Sequence, residues 1–281
     1  TLVGAAHRLL DGQTFGTLFI DEAAQALEAA CWIPMRRASR VVLAGDHCQL
    51  PPTIKSHEAL RGGLGVTLMQ RIAERRPGAV TMLTMQYRMH DDIMRFSAQW
   101  FYDGKVVSAP EVSHRSIRDS DIPMLWIDTS DMACREEFVG ESYGRVNKTE
   151  ARLTLAALQL YIEKIGLRRA IDESIDIGII SPYRAQVQHL RQLLKKEEYF
   201  RPLRHNISVN TVDGFQGQER DIILISLVRA NDEGQIGFLS DIRRMNVAIT
   251  RARMKLIILG DAPTMTRHKF YKALYDYIES I

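Results

Sequence analysis

The chain has 281 residues, 46% of them hydrophobic and 25% charged, which is typical of a folded globular protein and excludes a disordered or collagen-like one. A net charge of +3 permits nucleic-acid binding without requiring it, since dedicated binders carry a stronger basic excess. No apolar run approaches the ~18 residues of a membrane-spanning helix. The length suits one large domain or two of moderate size.

Short apolar runs rich in β-branched residues recur along the chain and are typical of strands buried on both faces. In order, these predicted strands are residues 17–20, 41–44, 80–83, 124–127, 177–180, 207–209, 222–228 and 256–259. Segments with helical periodicity lie between them, at residues 64–75, 91–101, 147–165, 182–196 and 241–253. Strands that alternate with helices predict an α/β fold with a mainly parallel sheet. The polar stretch 103–122 is predicted to be an ordered connection or a lid.

Carboxylates follow three of the predicted strands directly. Asp21 and Glu22 follow the first, Gly45-Asp46 the second, and Gly260-Asp261 the last. Ligands of open parallel sheets bind at the carboxyl ends of the strands. NTPases hold Mg²⁺ there with one acid and use a second acid to orient or deprotonate the attacking water. Helix N-capping is the alternative for each acid, and Asp261, which has no companion acid, is predicted to be such a cap.

Cysteine usage bears on the compartment and on metal sites. Cys31, Cys48 and Cys134 are far apart and form no CxxC pair, so neither a disulfide framework nor a zinc site is indicated. His47 beside Cys48 could form half of a metal site, but no second pair of ligands lies nearby. A reducing compartment is expected, either the cytoplasm or, in a eukaryote, the nucleus.

Five short motifs occur in a fixed order. They are DEAAQ at 21–25, GDHCQLPP at 45–52, QYRMH at 86–90, VNTVDGFQGQER at 209–220 and RRMNVAITRAR at 243–253. This set resembles motifs II to VI of superfamily-1 helicases, in the branch of the nonsense-mediated-decay helicase, senataxin and the immunoglobulin-mu-binding helicase. The resemblance spans about residues 1–261 and implies RecA-like parallel sheets flanked by helices, the P-loop NTPase motor fold. It implies a monomeric, ATP-dependent helicase or translocase moving 5′ to 3′ on single-stranded DNA or RNA.

The resemblance also implies which residues act on ATP, bound with Mg²⁺ between two RecA-like domains. Asp21 would coordinate Mg²⁺, and the catalytic roles would fall to Glu22 at the hydrolytic water, Gln49 as the γ-phosphate sensor, and the two arginines Arg88 and Arg251. An arginine supplied in this way contributes a factor of ~10³–10⁵ in rate. The alternatives are a hinge salt bridge for Arg88 and a helix C-terminal cation for Arg251. Arg253 is predicted to be such a helix C-terminal cation.

Further residues are implied for the nucleotide and for the nucleic acid. Those implied for the nucleotide are Tyr87 against the adenine and Gln216, Gly217 and Glu219 near the phosphates and ribose, with a buried core tyrosine as the alternative for Tyr87. Those implied for the nucleic acid are Thr1, Val3, Gly4, Ser181, Pro182, Tyr183 and Thr211. Pro182 is predicted to begin a helix, and Ser181 could equally be its N-cap. Gly214 is an ordinary turn glycine or a residue of close ligand approach.

One motif of the family is missing from this sequence. No GxxxxGK[ST] loop occurs, although its amides and lysine hold the β- and γ-phosphates in such NTPases. We therefore predict a fragment whose N-terminal Walker A portion lies elsewhere in the same protein. Residues 1–83 would be the later part of a first, incomplete RecA-like domain, and residues 84–281 the second domain. Alone, this chain should bind ATP poorly and hydrolyse little.

Two other functions are compatible with parts of the pattern. A non-hydrolysing module could use RecA-like folds as a nucleic-acid or protein platform, but it has no use for the whole set of catalytic residues. A small-molecule P-loop kinase is disfavoured by the two-domain order of the motifs and by arginines near the C-terminal end. DNA and RNA cannot be distinguished from the sequence.

Overall fold

Residues 1–140 and 144–281 are described by a computed structural model, in which the chain divides into two units, Thr1–Met82 (unit 1) and Leu83–Ile281 (unit 2). The sequence places the domain boundary between residues 83 and 84. That the two units are the two RecA-like domains stays a proposal.

Unit 1 contains a pair of parallel strands, β1 (Phe15–Ile20) and β2 (Ala38–Leu43), with Ile20 opposite Leu43. Its helices are α1 (Glu28–Met35), α2 (His57–Arg61) and α3 (Leu68–Arg75). Because the strands run parallel, the segments that follow them lie side by side at the carboxyl edge.

Three expectations for the N-terminal part of the chain differ from the structure. The strands are not buried on both faces, because Phe15, Phe19 and Val42 are 44%, 72% and 38% exposed. Residues 80–83 form no strand, although the apolar run suggested one. The helix expected at 64–75 begins only at Leu68, where the Thr67 hydroxyl caps it by accepting a hydrogen bond from the Gln70 amide.

Unit 2 contains nine strands and eight α-helices among its described residues. The strands are β3 (Met85–Gln86), β4 (Val107–Ser108), β5 (Met124–Asp128), β6 (Glu137–Val139), β7 (Gly144–Val146), β8 (Ile177–Ser181), β9 (Ile207–Thr211), β10 (Arg220–Ser226) and β11 (Ala252–Gly260). The helices are α4 (Asp91–Phe101), α5 (Pro110–Ser113), α6 (Lys148–Ile165), α7 (Leu167–Asp172), α8 (Arg184–Lys196), α9 (Ile242–Ile249), α10 (Ala262–Met265) and α11 (Lys269–Glu279).

A five-stranded parallel sheet with the order β5-β11-β10-β8-β9 organises unit 2. On one face, side chains such as Ile179 and Leu224 form a buried cluster with α6 and α8. Alternate residues such as Ile223 and Ile258 are also fully buried. Both faces are therefore covered, as the continuous apolar runs predicted, and the α/β, RecA-like architecture is confirmed.

Several local predictions for unit 2 can be compared with the structure. Asp261 is an N-cap as predicted, since its carboxylate accepts a hydrogen bond from the Thr264 amide at 2.8 Å. The stretch 103–122 is ordered and contains β4 and α5. The helix expected at 241–253 ends at Ile249, because the chain enters β11 at Ala252. Among the described residues, no helix has the length and apolarity needed to cross a membrane.

Candidate active site

The acid pair of unit 1 lies at the carboxyl end of β1. Asp21 and Glu22 are both exposed, and Glu22 adopts a left-handed backbone conformation with φ 52°, which is uncommon outside glycine. The Glu22 carboxylate accepts a hydrogen bond from the Gln25 side-chain amide at 2.6 Å. The two adjacent acids thus lie at a turn with left-handed backbone, and Gln25 holds the second one.

The loop after β2 packs closely against this turn. A Cβ atom on Gly45 would lie 2.9 Å from the Ala24 nitrogen, so only glycine fits there. Asp46 follows, and its two carboxylate oxygens accept hydrogen bonds from the Cys48 amide and the Gln49 side-chain amide, both at 2.9 Å. Gln49 is therefore held by Asp46 at the same edge of unit 1 as the acid pair.

Asp21 has the chemistry that a magnesium ion requires. Mg²⁺ prefers oxygen ligands and is commonly held by one or two carboxylates together with substrate phosphates. The Asp21 Oδ1 atom accepts a hydrogen bond from the Glu22 amide at 2.9 Å, so Oδ2 is the oxygen that remains for a cation. Asp46, His47 and Cys48 also place ligand atoms within 4.8 Å of one another, but imidazole and thiolate suit softer metals than Mg²⁺.

In unit 2, Arg88 and Glu219 form an ion pair at the amino ends of β10 and β11. The Arg88 Nε atom donates to Glu219 at 2.6 Å, and its Nη1 atom donates to the Thr250 carbonyl at 3.1 Å. Arg253 lies 3.4 Å from the other Glu219 oxygen and donates twice to Asp221, at 2.9 and 2.6 Å. Two arginines thus converge on one half-exposed carboxylate.

These contacts perturb the ionisation of Glu219. Partial burial of the carboxyl favours its neutral form, but the hydrogen bonds and charges of Arg88 and Arg253 outweigh burial and hold the pKa of Glu219 below its ordinary value. Glu219 is therefore an anion at neutral pH and competes with any phosphate for the Arg88 guanidinium.

Arg251 differs from Arg88 in its surroundings. It is only 3% exposed, and its guanidinium donates to the backbone carbonyls of Val247 and Gln218, both at 3.1 Å. Arg253 was expected to be a helix C-terminal cation, and this is wrong. It lies in β11, where its planar fork pairs with Asp221.

The other residues implied for the nucleotide are spread over the same unit. Tyr87 is 61% exposed, which contradicts the core-tyrosine alternative. Gly217 has a φ of 71° with open space around it, whereas a Cβ atom on Gly214 would lie 2.4 Å from the Asn210 side chain. A side chain at Gly214 would thus require the Asn210 side chain to move. The Gln216 side-chain nitrogen is buried with no hydrogen-bond partner among the described residues.

Residues implied for nucleic-acid binding gather at the opposite, carboxyl edge of the unit 2 sheet. Ser181 pairs in register with Thr211 at the ends of β8 and β9. The Thr211 hydroxyl accepts a hydrogen bond from the Gly214 amide at 3.3 Å, whereas Ser181 and Tyr183 are buried. Pro182 does not begin the helix, and Ser181 is not its N-cap. The N-cap is Tyr183 and α8 starts at Arg184, because the fixed φ of proline also suits the extended segment before a helix.

The first residues of unit 1 form a short 3-10 helix, Val3–Ala6. The Thr1 hydroxyl accepts a hydrogen bond from the Gly4 amide at 3.0 Å, and Val3 is 66% exposed. The three residues implied for nucleic-acid contact here, Thr1, Val3 and Gly4, are thus all at the surface of unit 1.

Comparison with known proteins adds to this geometry. An AAA domain family model matches residues 64–263, and a second AAA domain model matches residues 1–57. The chain is 39% identical over 280 residues to the DNA-binding protein SMUBP-2 of Mesocricetus auratus, covering 96% of this chain and 27% of that protein. It is 36% identical over 295 residues to the DNA polymerase alpha-associated DNA helicase A of Schizosaccharomyces pombe, covering 99% of this chain and 42% of that protein. The chain belongs to the AAA-domain superfamily-1 helicases.

This superfamily-1 helicase chain therefore spans between 27% and 42% of the length of those two relatives. A solved structure of the arterivirus nonstructural protein 10 helicase with DNA is similar with a TM-score of 0.46 and 14% identity, covering 92% of this chain and 42% of that one.

One buried polar cluster of this helicase chain was missed by sequence reasoning. The Glu150 carboxylate accepts hydrogen bonds from the Ser226 hydroxyl at 2.5 Å and the Val228 amide at 2.8 Å. Asn147 and Gln186 exchange two further hydrogen bonds, and Gln186 also donates to Ser226. The cluster ties α6, α8 and β10 together beside the carboxyl edge. Its only signal in the sequence is an acid within an otherwise apolar helical face.

Burial controls the ionisation of Glu150. Complete burial raises the pKa of Glu150 to about 7, although the hydrogen bonds from Ser226 and the Val228 amide act in the opposite direction. The negative charge of Asp261 adds to the rise. One Glu150 oxygen, Oε2, is buried and has no hydrogen-bond partner in the described part of the chain. A neutral carboxyl is therefore tolerated here better than a carboxylate.

Proposed function

We propose that this chain is the part of an ATP-dependent superfamily-1 helicase or translocase that senses and cleaves the γ-phosphate, and that the whole protein moves 5′ to 3′ on single-stranded DNA or RNA as a monomer. The relatives are named as a DNA-binding protein and a DNA helicase, which supports the nucleic-acid partner. The observation that carries the proposal is the joint placement of Asp21, Glu22 and Gln49 at the carboxyl ends of β1 and β2.

In this proposal, each residue at the edge of unit 1 has one task. Asp21 would hold Mg²⁺, and the ion would neutralise phosphate charge when ATP is bound. Glu22, fixed by Gln25, orients the water and accepts its proton. Gln49, held by Asp46, is close enough to this edge to respond to the presence of a γ-phosphate.

Unit 2 contains the cationic residues that we propose to act on ATP. Arg88 is the accessible arginine, and the phosphates would replace Glu219 as its partner. Arg251 reaches a phosphate only by exchanging its bonds to the Val247 and Gln218 carbonyls. Tyr87, which is exposed, would lie against the adenine. Gln216, Gly217 and Glu219 would lie near the phosphates and ribose.

The nucleic acid would bind the carboxyl edge of unit 2 and the first residues of unit 1. At the edge, Pro182 and Thr211 are the more accessible positions. Ser181 and Tyr183 are buried and would hold them in place. In unit 1 the contacts would come from Thr1, Val3 and Gly4. Backbone tracking of this kind needs little excess charge, which agrees with the net charge of +3.

A non-hydrolysing module that binds nucleic acid or protein is the second candidate. The burial of Arg251, whose guanidinium is engaged with two carbonyls, favours it. The acid pair with its supporting Gln25 favours hydrolysis instead, because a platform needs no such arrangement.

The two functions are separated by Glu22→Gln in a longer protein that includes a GxxxxGK[ST] loop. We expect single-strand-stimulated ATP hydrolysis to fall by ~10²–10⁴-fold, because a positioned general base contributes about that factor. Binding of the strand should persist. Glu58→Gln, an exposed acid on α2, is the matched control. A Glu22→Gln variant with the full rate would rule out Glu22 as the base.

A further inference from the structure

Two exposed phenylalanine rings belong to elements that contact residues 183–185, at the carboxyl edge of unit 2. Phe138 on β6 is 67% exposed, and Phe238, in the 3-10 helix Gly237–Ser240, is 55% exposed. Leaving a large apolar side chain in water forgoes roughly 1.5–3 kcal/mol of burial free energy. Neither ring belongs to the residues that the motifs singled out.

The hairpin β6–β7 holds Phe138 firmly. The Arg145 guanidinium lies over the Phe138 ring, 4.0 Å from its centroid, and Arg145 also pairs with Glu136. A Cβ atom on Gly144 would lie 3.9 Å from the Ala185 methyl group, which places the hairpin against the first turn of α8. One face of the ring is thus covered by the cation, and the ring is fixed near the end of β8.

Phe238 packs against Tyr183, which precedes α8. Its ring centroid lies 5.6 Å from that of the buried Tyr183, and the neighbouring Leu239 carbonyl accepts a hydrogen bond from the Tyr271 hydroxyl at 2.8 Å. The turn is tight, since a Cβ atom on Gly237 would lie 2.4 Å from an Arg229 nitrogen.

Arg229 connects the two supports. It is 2% exposed, donates to Glu136, the residue before β6, at 2.5 Å, and donates to the Tyr183 hydroxyl at 3.4 Å. The Arg229–Glu136 ion pair thus contacts the residue before β6 on one side and Tyr183, against which Phe238 packs, on the other.

We propose that Phe138 and Phe238 are stacking platforms for unpaired bases of a single strand that follows the carboxyl edge of unit 2. Every base presents a flat π-face, so a fixed phenyl ring binds it without sequence preference and contributes ~1–3 kcal/mol per base. The cation over Phe138 strengthens such a stack. Exposed Asp232 and Glu233 precede the Phe238 turn and disfavour phosphate there, so the contact expected of this ring is with a base.

This inference rests on the proposed function, and its test separates stacking from backbone binding. The probes are a fluorescein-labelled 15-nucleotide oligo(dT) and a strand of equal length whose residues are abasic, both titrated with the 281-residue chain. Phe138→Ala and Phe238→Ala should each weaken oligo(dT) binding roughly 5- to 100-fold. Neither should change binding of the abasic strand or the salt dependence for oligo(dT), because no phosphate contact is removed.

The controls test whether the loss comes from the aromatic face. Phe138→Trp and Phe238→Trp should keep wild-type affinity. Val139→Ala, which removes an exposed apolar side chain from the same hairpin, and Leu160→Ala on α6 should have no effect. Circular dichroism and the urea midpoint of each variant verify folding, since exposed substitutions change stability by only about 0.5 kcal/mol.

Three outcomes would count against the inference. If both alanine variants bind oligo(dT) with wild-type affinity, the two rings are not stacking platforms, and the proposed function is unaffected. An equal loss of affinity for oligo(dT) and for the abasic strand would show that the substitutions disturb phosphate contacts or the fold rather than base stacking. Failure of the wild-type chain to bind either strand would contradict the nucleic-acid interface proposed for this chain, and the platforms with it.

Discussion

At the scale of single residues, Glu219 is shared by two arginines with different surroundings. Arg253 has a second partner in Asp221, whereas Arg88 has Glu219 as its carboxylate partner and the Thr250 carbonyl as a neutral one. Removing Arg253 would therefore leave Asp221, which is 8% exposed, without its cation and with only the Asp176 amide as a donor among the described contacts. Removing Arg88 leaves Glu219 with one cation. Arg88 is the arginine that can leave its partner at the smaller cost.

The variant Arg88→Gln should raise the pKa of Glu219, because it removes a hydrogen bond and a charge that lower it. A carboxyl with a lowered folded-state pKa stabilises the fold above its ordinary pKa, and this contribution is lost as pH falls through the folded value. The wild-type free energy of unfolding should thus fall below about pH 4.5, the ordinary value for Glu219, and the variant should lose less over that interval. Urea unfolding at a series of pH values measures the difference. Arg169→Gln, in an exposed pair with Glu173, is the control.

Residue identities were predictable from the sequence where local chemistry decides them. Asp261 was predicted to cap a helix because it follows a strand without a companion acid, and its carboxylate does accept a hydrogen bond from the Thr264 amide in α10. The role of Arg253 was not predictable, because its partner Asp221 lies on a neighbouring strand and only the sheet register brings the two together. The contacts of Glu136 and Glu150 near the carboxyl edge were missed for the same reason.

At the scale of elements, the central strands of unit 2 were predicted well because each is a continuous apolar run that needs no alternation. Helix α4, Asp91–Phe101, begins and ends where it was predicted, and the two acids in its first turn favour its start there. The strand predicted at residues 80–83 is absent, because a strand requires a neighbouring strand to pair with, and an apolar, β-branched composition does not supply one. The predicted start of α8 was wrong because proline fits both an extended segment and a first helical turn.

The cluster around Glu150 makes the stability of α6 and β10 dependent on pH. A group with a raised folded-state pKa contributes stability that is fully present below its ordinary pKa and is lost as pH rises through the folded value. The wild-type free energy of unfolding should decline between about pH 4.5 and about pH 7, the ordinary and folded values for Glu150. Glu150→Gln keeps an acceptor for Ser226 and Val228 but cannot ionise. The free energy of unfolding of this variant should therefore not decline between these pH values, as urea unfolding at a series of pH values would measure. Glu163→Gln, on the exposed face of the same helix, should leave the wild-type decline unchanged.

At the scale of the whole molecule, the candidate nucleotide-binding and nucleic-acid-binding residues of unit 2 lie at opposite ends of one sheet. The arginines and Glu219 lie at the amino ends of β10 and β11, while Thr211 and Pro182 lie at the carboxyl edge. Strand β10 has seven residues, so the two groups are about 20 Å apart at the usual rise per residue. The segment from Thr211 to Glu219 is the covalent connection between them.

The 281-residue chain should hydrolyse ATP at no useful rate, because the sequence contains no loop to hold the β- and γ-phosphates. Steady-state phosphate release, with and without single-stranded DNA or RNA, measures this. A longer protein that includes GxxxxGK[ST] should show strand-stimulated hydrolysis. Robust activity of the chain by itself would mean that residues outside the five motifs hold the phosphates.

The open face of β1 and β2 has a consequence for how the protein behaves in solution. Phe19, Phe15 and Val42 form an apolar surface on a pair of strands with only each other as described neighbours. Such a surface is a site for intermolecular pairing and for hydrophobic association. The chain in isolation should therefore self-associate as its concentration rises, and light scattering should follow this. Binding measurements on it belong in the dilute range, where the signal comes from single molecules.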